Sequence, residues 1–347
     1  MKLTLFLILM IAILLGACTP RSTQQSQVVS PSAEADVTLV ETPKPAATQT
    51  TSIPTTSPIN PPSPVPPSAT STPLTQPKNT PATASGDVIV INHESIALFD
   101  KIPEEYLKAA SDIHLLFRHA SVGYNITEGL DCLMDKVQPR PFFCDAGTPP
   151  QEVIHDPKYD RTNWVFEFHA PPPGQNPGWW DKLNLFVDRV DNPAPGENFD
   201  AYGFKFGYVD AISGSAIDDE FFLKQAGGAY PNISALEDLE ARHPDKKFIY
   251  WTLGLARIVG TPDSQSFNQQ MRDYAAANGK ILIDIADIET NTPDGQPCYT
   301  SPDSGIEVIC TDYTTEREGG HLNALGSLRM SKAMWVLMAR LAGWDGK

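Results

Sequence analysis

Short apolar runs alternate with amphipathic segments over most of the chain beyond residue 110. Apolar runs rich in β-branched and aromatic residues predict buried strands, and apolar positions that recur every three or four residues predict helices. In chain order the predicted elements are strand 113–117, helix 122–134, strand 164–168, helix 179–190, strand 204–209, helix 233–242, strand 248–253, helix 266–278, strand 281–285 and helix 323–342. Strands that alternate with helices form a parallel sheet covered on both faces, so the pattern predicts an α/β domain.

The N-terminal end of the chain has a different pattern. After Met1 and Lys2, an apolar run over residues 3–15 is too short for a comfortable membrane span, and it is followed by Gly16-Ala17-Cys18. This ending resembles the lipobox of bacterial lipoproteins, in which the cysteine is acylated and becomes the first mature residue. An ordinary secretory signal with a chance cysteine is the alternative. We expect residues 1–18 to be a lipoprotein signal peptide, with Cys18 as the lipidation site on the outer face of a bacterial membrane.

Residues 19–86 contain no aromatic residue and are rich in proline, serine and threonine. Such a composition cannot bury enough apolar surface to offset the entropy lost on ordering, so we expect an extended, disordered tether. The folded domain is then residues 87–347, which is long enough to bury one core. The net charge is −16, and without clusters of Lys and Arg it argues against a nucleic-acid partner.

Besides Cys18, four of the five cysteines remain, namely Cys132, Cys144, Cys298 and Cys310. An even number in an exported domain suggests disulfides, and three pairings are open. We favour Cys132–Cys144 and Cys298–Cys310, because each pair brackets a short loop rich in proline, glycine or aspartate. The alternative is a zinc site, but the spacings do not match the tight pairs of structural zinc sites, so no metal is expected.

Two short segments at the ends of predicted elements carry the candidate chemistry. Ser121 follows the first predicted strand and precedes a helix, and His321 lies just before the last helix, with Glu318 three residues earlier. A serine becomes an effective nucleophile when an imidazole removes its proton and a carboxylate orients that imidazole. Each residue also has an ordinary structural explanation, because a serine after a strand is usually a helix cap and a histidine can simply pack at a helix start.

Four segments, in this order, resemble the SGNH or GDSL-type hydrolase superfamily, in a branch with a His-x-Ser-x-Gly block. They are residues 117–123, residues 205–210 at the family's Gly-x-Asn-Asp segment, residues 248–253 followed by 283–289, and residues 318–323 at the family's Asp-x-x-His. The resemblance implies a three-layer α/β/α sandwich with a flavodoxin-like parallel sheet. It also implies that Ser121 is the nucleophile, His321 the general base and Glu318 the orienting acid.

The resemblance further implies an oxyanion hole formed by the Ser121 N–H, at a helix N-terminus, and by a second N–H from Gly207. Val209 stands where the family has its oxyanion asparagine, and Asn125 could replace that side chain. The family's aspartate before the serine is Ala120 in this chain.

Two further polar residues belong to the expected pocket region. His119 either lines the pocket or is held as a structural group. Asp210 is expected to organise the loop after its strand by accepting backbone N–H groups.

Together these features predict an exported, lipid-anchored serine esterase that removes a small acyl group. The resemblance, with the expected placement outside the cell, implies an acetylated carbohydrate as the favoured substrate. The expected partners are that ester and the membrane, no cofactor is expected, and a monomer is the default. Two alternatives stay open: a non-catalytic binding module of the same fold, and an acyltransferase that uses the same triad.

Overall fold

The computed structural model describes residues 88–134, 156–169, 177–210, 216–218, 232–259 and 262–347. Within them the strands are β1 (Val90–Ile91), β2 (Leu115–His119), β3 (Trp164–Phe168), β4 (Ala201–Phe204), β5 (Lys247–Trp251) and β6 (Ile281–Ile283). The α-helices are α1 (Glu104–Ser111), α2 (Val122–Leu133), α3 (Trp179–Asp191), α4 (Ser234–Arg242), α5 (Asp263–Asn278), α6 (Ile285–Thr290) and α7 (Ala324–Leu341). Short 3-10 helices span Glu94–Lys101 and Pro157–Tyr159.

The strands form one parallel sheet in the order β1-β6-β5-β4-β2-β3. The predicted α/β class is confirmed. Without the edge strand β1, this order is the flavodoxin-like order, in which the chain reverses direction across the sheet beside its first long strand. Here that strand is β2, between β3 and β4, and sites in such sheets form at the carboxyl ends of the strands. Ser121 follows the carboxyl end of β2.

Apolar side chains cover both faces of the sheet and form two cores. One core joins the sheet to α1, α2 and α7, through residues such as Leu107, Leu130 and Leu337. The other joins it to α3, α4 and α5, through residues such as Leu239 and Phe267. This arrangement gives the three predicted layers, and β2 is buried along its whole length.

Helices α2 and α7 pack very closely. The hydroxyl of Ser331 donates to the carbonyl of Ile126 at 3.3 Å. A Cβ atom added at Gly129 would lie 2.3 Å from the carbonyl oxygen of Ser327, so only glycine permits this approach. Because Ser121 and His321 precede these two helices, the helix contact fixes the separation of the two residues.

The strand predicted at residues 204–209 is wrong in its bounds. The strand β4 ends at Phe204, and residues 205–210 form a loop. This loop is buried without being a strand, because the Asp210 carboxylate accepts the Gly207 N–H and closes a turn. An apolar pattern alone cannot distinguish such a buried turn from a strand.

Several predictions lie outside the described residues: the signal peptide 1–18, the tether 19–86, Cys18 and Cys144. Cys132 is buried near the end of α2, and its pairing with Cys144 stays a prediction. The Cys298–Cys310 disulfide is confirmed. Within the described part of the chain, no helix is both long enough and apolar enough to cross a membrane.

Candidate active site

Ser121 occupies a strained turn between β2 and α2. Its φ of 52° and ψ of −113° make it the one non-glycine residue with positive φ among the described residues. Such a conformation is costly for a residue with a Cβ atom, and sharp strand-to-helix turns of this kind expose a nucleophile above a sheet. Although Ser121 is the N-cap residue of α2, its side chain makes no capping hydrogen bond. The helix-cap explanation of this serine is therefore excluded.

The Ser121 hydroxyl instead contacts His321. The Oγ atom lies 2.5 Å from Nε2 of the imidazole, across 200 residues of chain. The histidine side chain is 43% exposed, so a molecule from solvent can reach it. The structure thus brings together the two residues that the sequence singled out first.

Glu316 holds the other side of His321. Its Oε1 atom lies 2.7 Å from Nδ1 of the ring, and its Oε2 atom accepts the backbone N–H of His321 at 3.0 Å. Burial raises the pKa of Glu316, but the hydrogen bonds from His321 outweigh it and hold the pKa below its ordinary value. An ionised carboxylate at Nδ1 favours the tautomer in which Nε2 is free to accept a proton.

The prediction that Glu318 orients His321 is wrong. Glu318 is exposed, and its carbonyl accepts the backbone N–H groups of Ile258 and Val259 at 3.0 and 3.2 Å. The loop folds back through two glycines after Glu318, so the acid that reaches the ring lies five residues before His321. The family spacing of three residues pointed to the wrong one of two nearby glutamates.

The segment before His321 is fixed by the loop after β5. The Arg257 N–H donates to the carbonyl of Gly319 at 2.9 Å. A Cβ atom at Gly320 would lie 1.9 Å from the carbonyl oxygen of Leu255, so glycine is required there by close packing. The buried Glu289 supports this loop, because its Oε2 atom accepts the Leu255 N–H at 2.5 Å. None of these supports was expected from the sequence.

Asn125 links α2 to the histidine segment. Its Oδ1 atom accepts the Leu322 N–H at 3.2 Å, and its Nδ2 atom donates to Glu128 at 3.4 Å. The amide is therefore engaged in holding the loop. The structure does not support the expected role of Asn125 as a substitute oxyanion donor.

Gly207 and Asp210 form the turn that follows β4. The Gly207 N–H donates to Oδ2 of Asp210 at 2.5 Å, so this N–H is not available as the second oxyanion donor that was expected. Asp210 organises the loop as predicted, and it also accepts a hydrogen bond from Lys182 on α3 at 2.5 Å. Burial raises the pKa of Asp210 and lowers that of Lys182, and the attraction between the two opposes both shifts.

His119 is a buried structural group beneath the nucleophile. Its ring lies 4.9 Å from that of Phe168, and its side chain is almost completely enclosed. Burial and the nearby cations Lys205 and Arg118 lower its pKa to about 3, so it is neutral at physiological pH. Burial also lowers the pKa of His169, and the backbone N–H of His169 donates to the carbonyl of His119 at 2.9 Å. Of the two roles considered for His119, the structural one fits.

In the parts of the chain that the structure describes, no group of three or more His, Cys, Asp or Glu side chains could hold a metal ion. The arrangement of Ser121, His321 and Glu316 is that of a nucleophile, a base and an orienting acid.

No family model and no curated protein matches this chain. Among solved structures, a protein from Bacteroides fragilis described as an acylhydrolase is 13% identical, with a TM-score of 0.37, over 66% of this chain and 87% of that one. A lipolytic-type protein of the G-D-S-L family from Desulfitobacterium hafniense is 13% identical, with a TM-score of 0.35, over 65% and 99%. An acetylxylan esterase from Geobacillus stearothermophilus is 11% identical, with a TM-score of 0.34, over 67% and 94%. At such low identity and TM-score the likeness says nothing about activity, which has to be inferred from the site itself.

Proposed function

We propose that this protein is a serine esterase that hydrolyses a small acyl ester. The observation that carries the proposal is the continuous chain of contacts from Ser121 through His321 to Glu316. Each contact is within hydrogen-bonding distance, and the serine sits in a strained, half-buried turn at the carboxyl end of β2.

In the proposed mechanism, Nε2 of His321 accepts the Ser121 proton while Oγ attacks the ester carbonyl carbon. The imidazolium then gives that proton to the leaving alkoxide, and an acyl group stays on the serine. A water molecule, deprotonated by the same nitrogen, releases the acid and restores the serine. Glu316 stabilises the imidazolium in both steps and keeps the proton on Nδ1.

The oxyanion would be stabilised at the N-terminus of α2, where the Ser121 N–H and the helix dipole favour negative charge. The side-chain donor of the related family is absent at Val209, and the Gly207 N–H is engaged by Asp210. Loss of one oxyanion donor typically costs about 2.7–4 kcal/mol of transition-state stabilisation. We therefore expect slow turnover.

A binding module without turnover is the second candidate, and the engaged Gly207 N–H is the observation that favours it. A fluorophosphonate probe separates the two, because it labels a serine that an imidazole activates. Labelling of Ser121 that is abolished in the His321→Ala protein supports the enzyme. An unlabelled wild-type protein that is properly folded would favour the binding module.

Acetyl and other short acyl groups on carbohydrates are the proposed substrates, on the strength of the sequence resemblance and the expected placement outside the cell. The experiment is a screen of the full-length protein against short p-nitrophenyl esters and acetylated glycans. Release of acetate from glycans at a rate similar to that from the synthetic ester supports the carbohydrate assignment. Hydrolysis of the synthetic esters alone would support esterase activity and contradict the carbohydrate substrate.

We further propose that the protein is exported and anchored through lipid on Cys18, as the lipobox-like ending suggests. The Cys18→Ala protein should stay unprocessed by the lipoprotein peptidase or be released from the membrane. A processed Cys18→Ala protein that still fractionates with the membrane would contradict the anchor.

A further inference from the structure

Tyr208 stands in the loop after β4 and contacts the histidine. Its ring centroid lies 5.9 Å from that of His321, with an angle of 84° between the ring planes. This edge-on arrangement is a favourable contact between aromatic rings, and it limits rotation of the imidazole. The side chain is half-buried.

The hydroxyl end of Tyr208 reaches the segment that carries Glu316. A Cβ atom at Gly319 would lie 3.3 Å from the Tyr208 hydroxyl oxygen and 2.0 Å from Oε2 of Glu316, so Gly319 is enclosed between the two side chains. Burial and the Glu316 charge raise the pKa of Tyr208, and the nearby backbone N–H of Gly320 opposes this shift.

The backbone that carries Tyr208 is itself rigidly held. Asp210 closes the turn on Gly207, and its carboxylate is paired with the fully buried Lys182. The neighbouring Lys205, also buried, donates to the carbonyl of Phe206 at 2.7 Å. A side chain on such a support can define the position of a more exposed neighbour.

We propose that Tyr208 is a positioning residue, which holds Glu316 and His321 in alignment through its ring and its hydroxyl group. This inference rests on the proposed function, because the alignment matters only if His321 acts as a base. It gives a function to Tyr208, which stands at the variable position of the Gly-x-Asn-Asp segment in the family that the sequence resembles. It also explains how a pair of side chains that is more than one-third exposed can keep a fixed geometry.

The test compares Tyr208→Phe, which keeps the ring, with Tyr208→Leu, which removes it. An exposed tyrosine supplies the matched control, Tyr299→Phe. For Tyr208→Phe we expect kcat to fall about threefold to tenfold with KM unchanged, since the hydroxyl group that lies against Gly319 is lost. For Tyr208→Leu we expect a fall of about 100-fold, because the imidazole is no longer restrained. The control should match the wild type.

A second readout does not depend on turnover. The proton on Nδ1 of His321, bonded to Glu316, should give a far-downfield NMR signal in the wild type. This signal should weaken in Tyr208→Phe and disappear by exchange in Tyr208→Leu. If the wild type hydrolyses no ester, the proposed function fails while the NMR comparison still decides the positioning role.

An unchanged signal and unchanged kcat in both variants would overturn the inference. A fall in kcat that only follows a loss of folded protein in thermal unfolding would also overturn it, because it would show a structural role alone.

Discussion

Oε1 of Glu316 lies 2.7 Å from Nδ1 of His321, although Glu318 is nearer to the histidine in sequence. The same glutamate also accepts the backbone N–H of His321. One carboxylate therefore fixes both the ring and the main chain of the base, and its loss should affect the two together.

The first prediction separates the two glutamates. Glu316→Gln should lower kcat by about 100- to 10,000-fold, because an amide cannot stabilise the imidazolium and can select the wrong tautomer. Glu318→Gln should stay within about twofold of wild type, as expected for an exposed side chain. Steady-state kinetics with a p-nitrophenyl ester measures both. A large loss in Glu318→Gln with an active Glu316→Gln protein would restore the original assignment.

The second prediction concerns the nucleophile and the base. Ser121→Ala and His321→Ala should each lower kcat by more than about 1,000-fold. The double variant should be no worse than either single variant, because such residues act as a unit. His119→Gln should retain most activity, since His119 is a buried structural group. An active His321→Ala protein together with an inactive His119→Gln protein would move the base to His119.

The third prediction tests the contact between α2 and α7. In Gly129→Ala the added methyl group would meet the Ser327 carbonyl, and overpacking of this kind typically costs about 1–3 kcal/mol of unfolding free energy. Displacement of α2 should also separate Ser121 from His321, so kcat should fall more than the folded fraction does. Urea unfolding and kinetics on the same sample measure the two effects. Wild-type stability would show that the helices can move apart without cost.

The fourth prediction is loss of stability in acid. The pKa of His119 is lowered to about 3, and burial also lowers the pKa of His169. The unfolded chain, in which histidine titrates near its ordinary value of about 6.5, then binds more protons than the folded chain between these limits. The contribution of His119 to the unfolding free energy is fully present above about pH 6.5. It is lost as the pH falls towards about 3.

Replacement of His119 by Gln should reduce the slope of unfolding free energy against pH by up to about 1.4 kcal/mol per pH unit in this window. Urea unfolding at several pH values measures the slope. Equal slopes in wild type and His119→Gln would mean that His119 is protonated in the folded state.

The fifth prediction concerns the Cys298–Cys310 disulfide, which closes a loop with a sequence separation of 12. Its removal in a Cys298→Ser, Cys310→Ser protein should cost roughly 3 kcal/mol of unfolding free energy by chain-entropy reasoning. Activity should fall as well, because backbone hydrogen bonds lead from the disulfide to the histidine segment. The Tyr313 N–H donates to the Cys310 carbonyl, and the Tyr313 carbonyl accepts the N–H of Asn323, two residues after His321. Urea unfolding of the double variant and of the wild type, both without a reductant, measures the difference. Identical unfolding curves for the two proteins would contradict a stabilising contribution of this disulfide.

The sequence predicts those parts of the site that depend on local pattern. Ser121 stands between a buried strand and an amphipathic helix, and His321 precedes a long apolar helix, so both could be recognised from periodicity and order. The role of Glu316 could not, because the path of its loop is set by backbone contacts with residues 255–259, which are remote in sequence. The engaged N–H of Gly207 could not be foreseen either, since it depends on a turn where the pattern predicted a strand.

The two contacts of His321 differ greatly in the length of chain that they join. Glu316 is five residues away, whereas Ser121 is 200 residues away. The acid and the base can therefore meet as soon as their loop closes, but the base meets the nucleophile only when α7 docks against α2. During synthesis the serine emerges long before the histidine. A chain that ends before α7 therefore carries an unactivated serine, and the onset of hydrolysis during refolding would mark the docking of the last helix.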